Sequence, residues 1–146
     1  MTNDGMNGKG LIKIFVYGTL RKHKSNNVLL EKSKYLGDYR TIDKFIMTSN
    51  GYIPFVSDAV KYSHIKGEIY SVSPSVLKVI DNLEGHPHWY RRKKIKVTNN
   101  NGKSFVNVFM YINDNVCRLI YNDGDFNNKE RDNVIPISLS SSSFFF

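Results

Sequence analysis

Two stretches of this 146-residue chain carry residues able to do chemistry. The first is Val16-Tyr17-Gly18-Thr19-Leu20-Arg21, where an apolar run meets a glycine and then small and polar residues. Gly18 has no Cβ, so the backbone is expected to take a positive-φ turn, let a ligand come close and aim the following N–H groups outward as anion donors. The plain alternative is a turn and nothing more. The second stretch is Asp81-Asn82-Leu83-Glu84-Gly85-His86-Pro87-His88-Trp89-Tyr90-Arg91-Arg92, in which Glu84 is the candidate acid and base.

Glu84 closes the clearest helix of the chain. Ser73 is a suitable N-cap, Pro74 stands at the first helical position, and Gly85 fits the left-handed cap after the last turn. Advancing by about 100° per residue from Val76, Ile80 falls at ~40°, Leu83 at ~340°, Leu77 at ~100° and Glu84 at ~80°. Glu84 therefore shares the arc of the apolar residues. Burial, the negative end of the helix dipole and Asp81 one turn away would each favour its protonated form and bring its pKa toward neutrality. Such a group can both take and give a proton near neutral pH. The alternative is that the helix frays by Glu84 and the side chain turns to solvent.

The remaining residues of this region have simpler readings. Asp81 reads as a hydrogen-bonding residue at the helix end. His86 and His88 lie two apart with no cysteine or third ligand nearby, which is not metal-site spacing. Tyr90 and Arg92 fall on one strand face with Tyr111 on the partner strand, where cross-strand aromatic packing is the simplest role.

The elements that must position these groups are mostly strands. Ile12 to Tyr17, Tyr35 to Ile42, Phe45 to Thr48, Ile53 to Val56, Ile65 to Val72, Tyr90 to Val97 and Phe105 to Ile112 read as strands, with hairpin turns at Ser49-Asn50-Gly51-Tyr52 and Asn99-Asn100-Asn101-Gly102. Pro54 places its strand at an edge or at its own start. Asn26 to Glu31 reads as a short helix capped by Ser25, and Cys117 to Tyr121 as a last short helix or strand. Residues 1–11 read as a flexible leader, 12–122 as one domain, and 123–146 as a disordered or loosely docked tail ending in Phe144-Phe145-Phe146. A chain ending near Tyr121 is accordingly expected to keep its fold.

Composition narrows the function classes. A single cysteine, Cys117, allows no internal disulfide, and no signal peptide or long apolar run is present, so the expectation is a soluble, cytoplasmic protein without a membrane partner. The net charge of +8 suggests attraction to anions. Its densest run, Arg91-Arg92-Lys93-Lys94, alternates between strand faces and makes no one-sided stripe for nucleic acid.

Taken together, Val16-Tyr17-Gly18-Thr19-Leu20-Arg21, Gly67-Glu68-Ile69-Tyr70, Asp81, Leu83-Glu84-Gly85, Pro87, Tyr90 and Arg92 resemble, in order and spacing, the γ-glutamylcyclotransferase superfamily, and within it the γ-glutamylamine cyclotransferase group. The resemblance runs from Ile12 to Ile112. It implies an α+β fold, a compact mixed β-barrel with short flanking helices, and a cofactor-free, metal-free pocket between the first strand's turn and the end of the Glu84 helix. It also implies the reaction, in which the α-amino group of a γ-glutamyl small molecule attacks its own γ-carbonyl, giving 5-oxoproline and a free amine. The Tyr17-Gly18-Thr19-Leu20 turn would hold the γ-glutamyl head through backbone N–H groups, Glu84 would move the proton, and Tyr90 and Tyr111 would border the pocket. The loops from Asn50 to Lys61 and from His86 to Trp89 are expected to shape the amine side. A binding module without turnover and a basic nucleic-acid-associated protein are the competing classes.

Overall fold

The computed structural model describes residues 10–128. Its elements are β1 (Ile12–Val16), a single 3-10 turn (Asn27–Leu30), β2 (Lys34–Thr41), β3 (Ile46–Ser49), β4 (Pro54–Ser57), β5 (Lys66–Val72), α1 (Pro74–Glu84), β6 (Arg91–Thr98), β7 (Phe105–Ile112) and β8 (Leu119–Ile120). Five strands close a barrel in the order β1-β5-β2-β6-β7, and β4-β3-β8 form a small second sheet. All barrel pairings are antiparallel except the closure, where β1 runs parallel to β7 with Ile14 opposite Phe109 and Phe15 opposite Met110. This is the mixed barrel expected from the resemblance.

β1 is apolar at successive positions because both of its faces are covered. Phe15 and Tyr17 join one buried cluster with Met47, Ile69, Val97 and Met110. Ile14 and Val16 join a second with Leu30, Tyr70 and Ile80, the one fully buried residue of α1. The helix lies against this second cluster, and the end of β1 emerges between the two. Pro54 is the first residue of an edge strand, so its missing N–H breaks no ladder.

Two expectations change, and one left open between helix and strand is settled. The segment expected as a helix from Asn26 is the 3-10 turn, and Ser25 does not cap it; Asn26 and Asn27 instead spend their side chains on the preceding loop. Cys117 to Tyr121 supplies the strand β8, paired with β3. The residues just after 122, expected to begin a loose tail, pack on the barrel: Gly124 O accepts the Lys66 N–H at 2.9 Å, Asp125 pairs with Arg21, and the Phe126 ring lies 5.5 Å from Tyr121. The folded unit thus runs at least to Asn128. The leader up to Lys9 and the rest of the tail, Phe144-Phe145-Phe146 included, lie outside the described residues.

Candidate active site

The turn after β1 is held by its carbonyls and its neighbours. The Arg21 N–H donates to Gly18 O at 3.0 Å, the Asn26 N–H to Thr19 O at 2.9 Å, and Asn27 Nδ2 to Leu20 O at 2.8 Å. Asn26 Nδ2 also donates to Thr19 Oγ1 at 2.9 Å. Beneath the turn, the buried Arg21 donates from Nε to Glu68 Oε2 at 3.1 Å and from Nη1 to Asp125 Oδ1 at 2.9 Å, while the Lys22 N–H donates to Glu68 Oε1 at 3.0 Å. Among the described residues the N–H groups of Gly18, Thr19 and Leu20 donate to nothing.

Gly18 serves this turn for a reason other than the expected one. Its φ is not positive. A Cβ there would lie 2.7 Å from Pro54 Cγ, so the position needs glycine because a proline ring occupies the space of a side chain.

On the other side, α1 begins and ends as its sequence suggests. Ser73 Oγ accepts the Val76 N–H at 3.2 Å, Pro74 follows, and Gly85 caps the helix at φ 66°, ψ 34°. The Tyr90 N–H donates to Glu84 O at 3.1 Å, so the last turn is tied down and Glu84 does not fray into solvent. Its side chain is half-buried and lines a cavity of about 160 Å³. Burial raises its pKa from 4.5 to about 7.

Asp81 does not share in that shift. Its carboxylate receives Arg92 Nε at 2.8 Å and Nη2 at 3.2 Å together with the Tyr111 hydroxyl. Burial pushes its pKa up, but the hydrogen bonds from Arg92 and Tyr111 and the positive charge of Arg92 outweigh burial and hold it below the ordinary range. Leu83, expected on the core face, is 44% exposed and sits on the cavity wall, because the buried arc of α1 is centred nearer Ile80 and Glu84.

The candidate residues Tyr17, Gly18, Thr19, Leu20, Glu84, Tyr90 and Tyr111 all line this one cavity. Each phenol donates its proton elsewhere: Tyr17 to Tyr111 O at 2.8 Å, Tyr90 to Pro54 O at 3.0 Å, and Tyr111 to Asp81. Burial raises the pKa of all three, so they stay neutral. Tyr111 thus gains a polar role beyond the packing expected of it.

Sequence reasoning missed Asn26 and Leu83 as lining residues, and placed Ile53 and Pro54 only within the shaping loop from Asn50 to Lys61. Trp89, the chain's one tryptophan, was placed only within a shaping loop and forms part of the wall, edge-on to Phe55 and Tyr90. His86 fastens the loop, its Nδ1 accepting the Arg92 N–H at 3.1 Å. Among the described residues no three His, Cys, Asp or Glu side chains are grouped to hold a metal, and no helix is long and apolar enough to cross a membrane. The basic run on β6 is divided: Arg92 turns to Asp81, while Arg91 and Lys93 pair with Asp58.

The turn after β1 and the end of α1 therefore meet at one cavity, with Glu84, pKa about 7, on the helix side. A family model described as gamma-glutamyl cyclotransferase, AIG2-like, matches residues 14–128. A Methanocaldococcus jannaschii protein named "Putative gamma-glutamylcyclotransferase" is 41% identical over 114 residues, covering 77% of this chain and 93% of its own. The gamma-glutamylaminecyclotransferase of Rattus norvegicus is 34% identical over 92 residues, covering 58% and 62% respectively. Among solved structures, an AIG2-like protein from Mus musculus superposes with a TM-score of 0.63 at 28% identity, over 70% of this chain and 76% of that one. An uncharacterised protein from Pyrococcus horikoshii, 23% identical, shares the fold with a TM-score of 0.62 over 92% and 99% of the two chains.

Proposed function

Because the chain belongs to the gamma-glutamyl cyclotransferase, AIG2-like family, we propose that it converts a γ-glutamyl-amine to 5-oxoproline and the free amine, with Glu84 as general base and then general acid. The observation that carries this reading is the half-buried Glu84 carboxyl, pKa about 7, sharing a cavity with the free N–H groups of Gly18, Thr19 and Leu20.

The chemistry divides between the two walls. The turn from Tyr17 to Leu20 receives the α-carboxylate of the γ-glutamyl head through its N–H donors. Glu84 takes a proton from the α-ammonium, which is not a nucleophile until it loses one. The freed nitrogen attacks the γ-carbonyl carbon and closes a five-membered ring. As the tetrahedral centre collapses, the bond to the leaving nitrogen breaks and Glu84 returns its proton to that nitrogen, since an amide nitrogen leaves poorly as an anion, while the ring nitrogen gives its extra proton to the departing amine, which leaves as an ammonium. Attack within one molecule needs positioning above all, which the cavity walls supply. Tyr90 and Tyr111 border the reacting carbons, and a cytoplasmic setting suits the lone Cys117.

The test is release of 5-oxoproline from a panel of γ-glutamyl amino acids, γ-glutamyl-alkylamines and the ε-(γ-glutamyl)-lysine isopeptide, the last being the first to try. Turnover of at least one, lost in Glu84→Gln, supports the reading. Binding of the panel without release by the wild type would make the protein a binding module instead.

A further inference from the structure

We propose that Asp81 and Arg92 are positioning residues acting on Glu84 through Tyr111: by accepting the Tyr111 hydroxyl proton, Asp81 keeps it from Glu84, and Arg92 holds Asp81 in place to do so. The proposal rests on the reading of Glu84 as the proton carrier. Its geometric basis is the closed set of hydrogen bonds around the cavity. A phenol has one proton, and the Tyr111 proton goes to Asp81. Asp81 is gripped at both oxygens by Arg92 from β6, and the Arg92 backbone N–H is fastened in turn to His86.

The groups that face Glu84 come from three sides. Tyr17 approaches from the end of β1, Tyr111 from β7 and Tyr90 from the loop before β6, while Asp81, one turn back on the helix of Glu84, is turned to Arg92 and Tyr111. Arg92 and His86 stand behind Asp81, and the Cys117 thiol lies behind Tyr90. Tyr17 and Tyr90 are committed to backbone carbonyls, which cannot be titrated or removed by a side-chain substitution. Only the Tyr111 proton is directed by a side chain, so only here does the fold have to choose where a proton points.

The choice has a chemical consequence. A hydrogen bond donated to a carboxylate stabilises its charged form and makes it a weaker base. Were Tyr111 to turn to Glu84, the burial that lifts this carboxyl toward neutrality would be offset, and its proton affinity would no longer match the operating pH.

The experiment follows Glu84 directly in the full chain, by titrating its side-chain carbon resonance, assigned by its disappearance in Glu84→Gln. In Asp81→Leu/Arg92→Leu, which removes the pair without changing net charge, the Tyr111 hydroxyl is freed, and the midpoint should fall by about one pH unit. Adding Tyr111→Phe should return it to the wild-type value, an outcome that a merely structural role for the pair would not produce. A double variant whose midpoint stays in place, or a triple variant that does not recover, overturns the proposal. If the double variant does not fold, Tyr111→Phe alone decides: the proposal expects an unchanged midpoint, and a rise of about one unit would mean that Tyr111 donates to Glu84 in the wild type. Where a substrate is turned over, the acid limb of the rate profile should move with the resonance. The titration needs no substrate, so absence of turnover would remove the proposed reaction and leave this measurement standing.

Discussion

Pro54 occupies the space into which any side chain at position 18 would grow: a Cβ on Gly18 would stand 2.7 Å from Pro54 Cγ and 3.1 Å from Cδ. Gly18 follows a barrel strand and Pro54 opens a strand of the small sheet, so the packing of β4 against the end of β1 sets the shape of the turn. Gly18→Val should abolish binding of 5-oxoproline, measured calorimetrically on folded protein. Gly18→Ala should weaken it, and Pro54→Ala added to Gly18→Ala should recover part of the loss, because alanine lacks the Cγ and Cδ atoms that clash. Unchanged affinity in Gly18→Val would remove the turn from the site.

Glu84→Gln keeps the shape of the side chain and cannot exchange a proton. General acid and base groups contribute about 10²–10⁴-fold, so turnover of any panel substrate should fall by at least about a hundredfold while ligand still binds. A mutant retaining more than about a tenth of the rate would end the assignment.

The same carboxyl makes stability depend on pH in a definite direction. With its pKa raised from 4.5 to about 7, the folded state holds a proton that the unfolded chain releases. Stability is therefore lost as pH rises from about 4.5 to about 7, and the loss levels off above that. The melting temperature of Glu84→Gln relative to wild type should climb across this window; a constant difference would show that Glu84 is not desolvated.

These two predictions stand on features readable from the sequence alone. Ser73-Pro74 and Gly85 mark the ends of α1 by local chemistry, and the position of Glu84 on the helical arc follows from the periodicity of Val76, Leu77 and Ile80. What was not legible depends on contacts between distant segments. Nothing near Gly18 announces Pro54, and the partners of Asp81 lie 11 and 30 residues away. Leu83 is exposed because the barrel covers a narrower arc of α1 than its apolar residues span. Asp123 to Asn128 reads as a tail because it is polar, yet its polarity is directed at a buried arginine.

That segment changes what truncation should do. Ending the chain at Tyr121 removes Asp125 from Arg21 and Phe126 from Tyr121. Removing one partner of a buried pair costs about 3–5 kcal/mol; Arg21 keeps Glu68, so Asp125→Ala alone should cost less, about 1–3 kcal/mol. Chemical denaturation of Asp125→Ala and of the truncated chain should show both destabilised, the truncation more. Equal stability of all three would mean that the segment is a passenger.

The parallel closure of β1 on β7 bears on when this protein can work. The Tyr17 hydroxyl bonds to a carbonyl 94 positions further along, and Arg21 to a carboxylate 104 positions further along. Contacts at such separation form late, after loop closure has been overcome. A chain emerging from the ribosome carries the turn after β1 well before Tyr111 but has no cavity until Tyr111 has left the exit tunnel and the barrel has shut. Stalled or prematurely ended translation products that lack Tyr111 therefore hold only part of the cavity, which is completed in one step when the β7 segment joins the barrel.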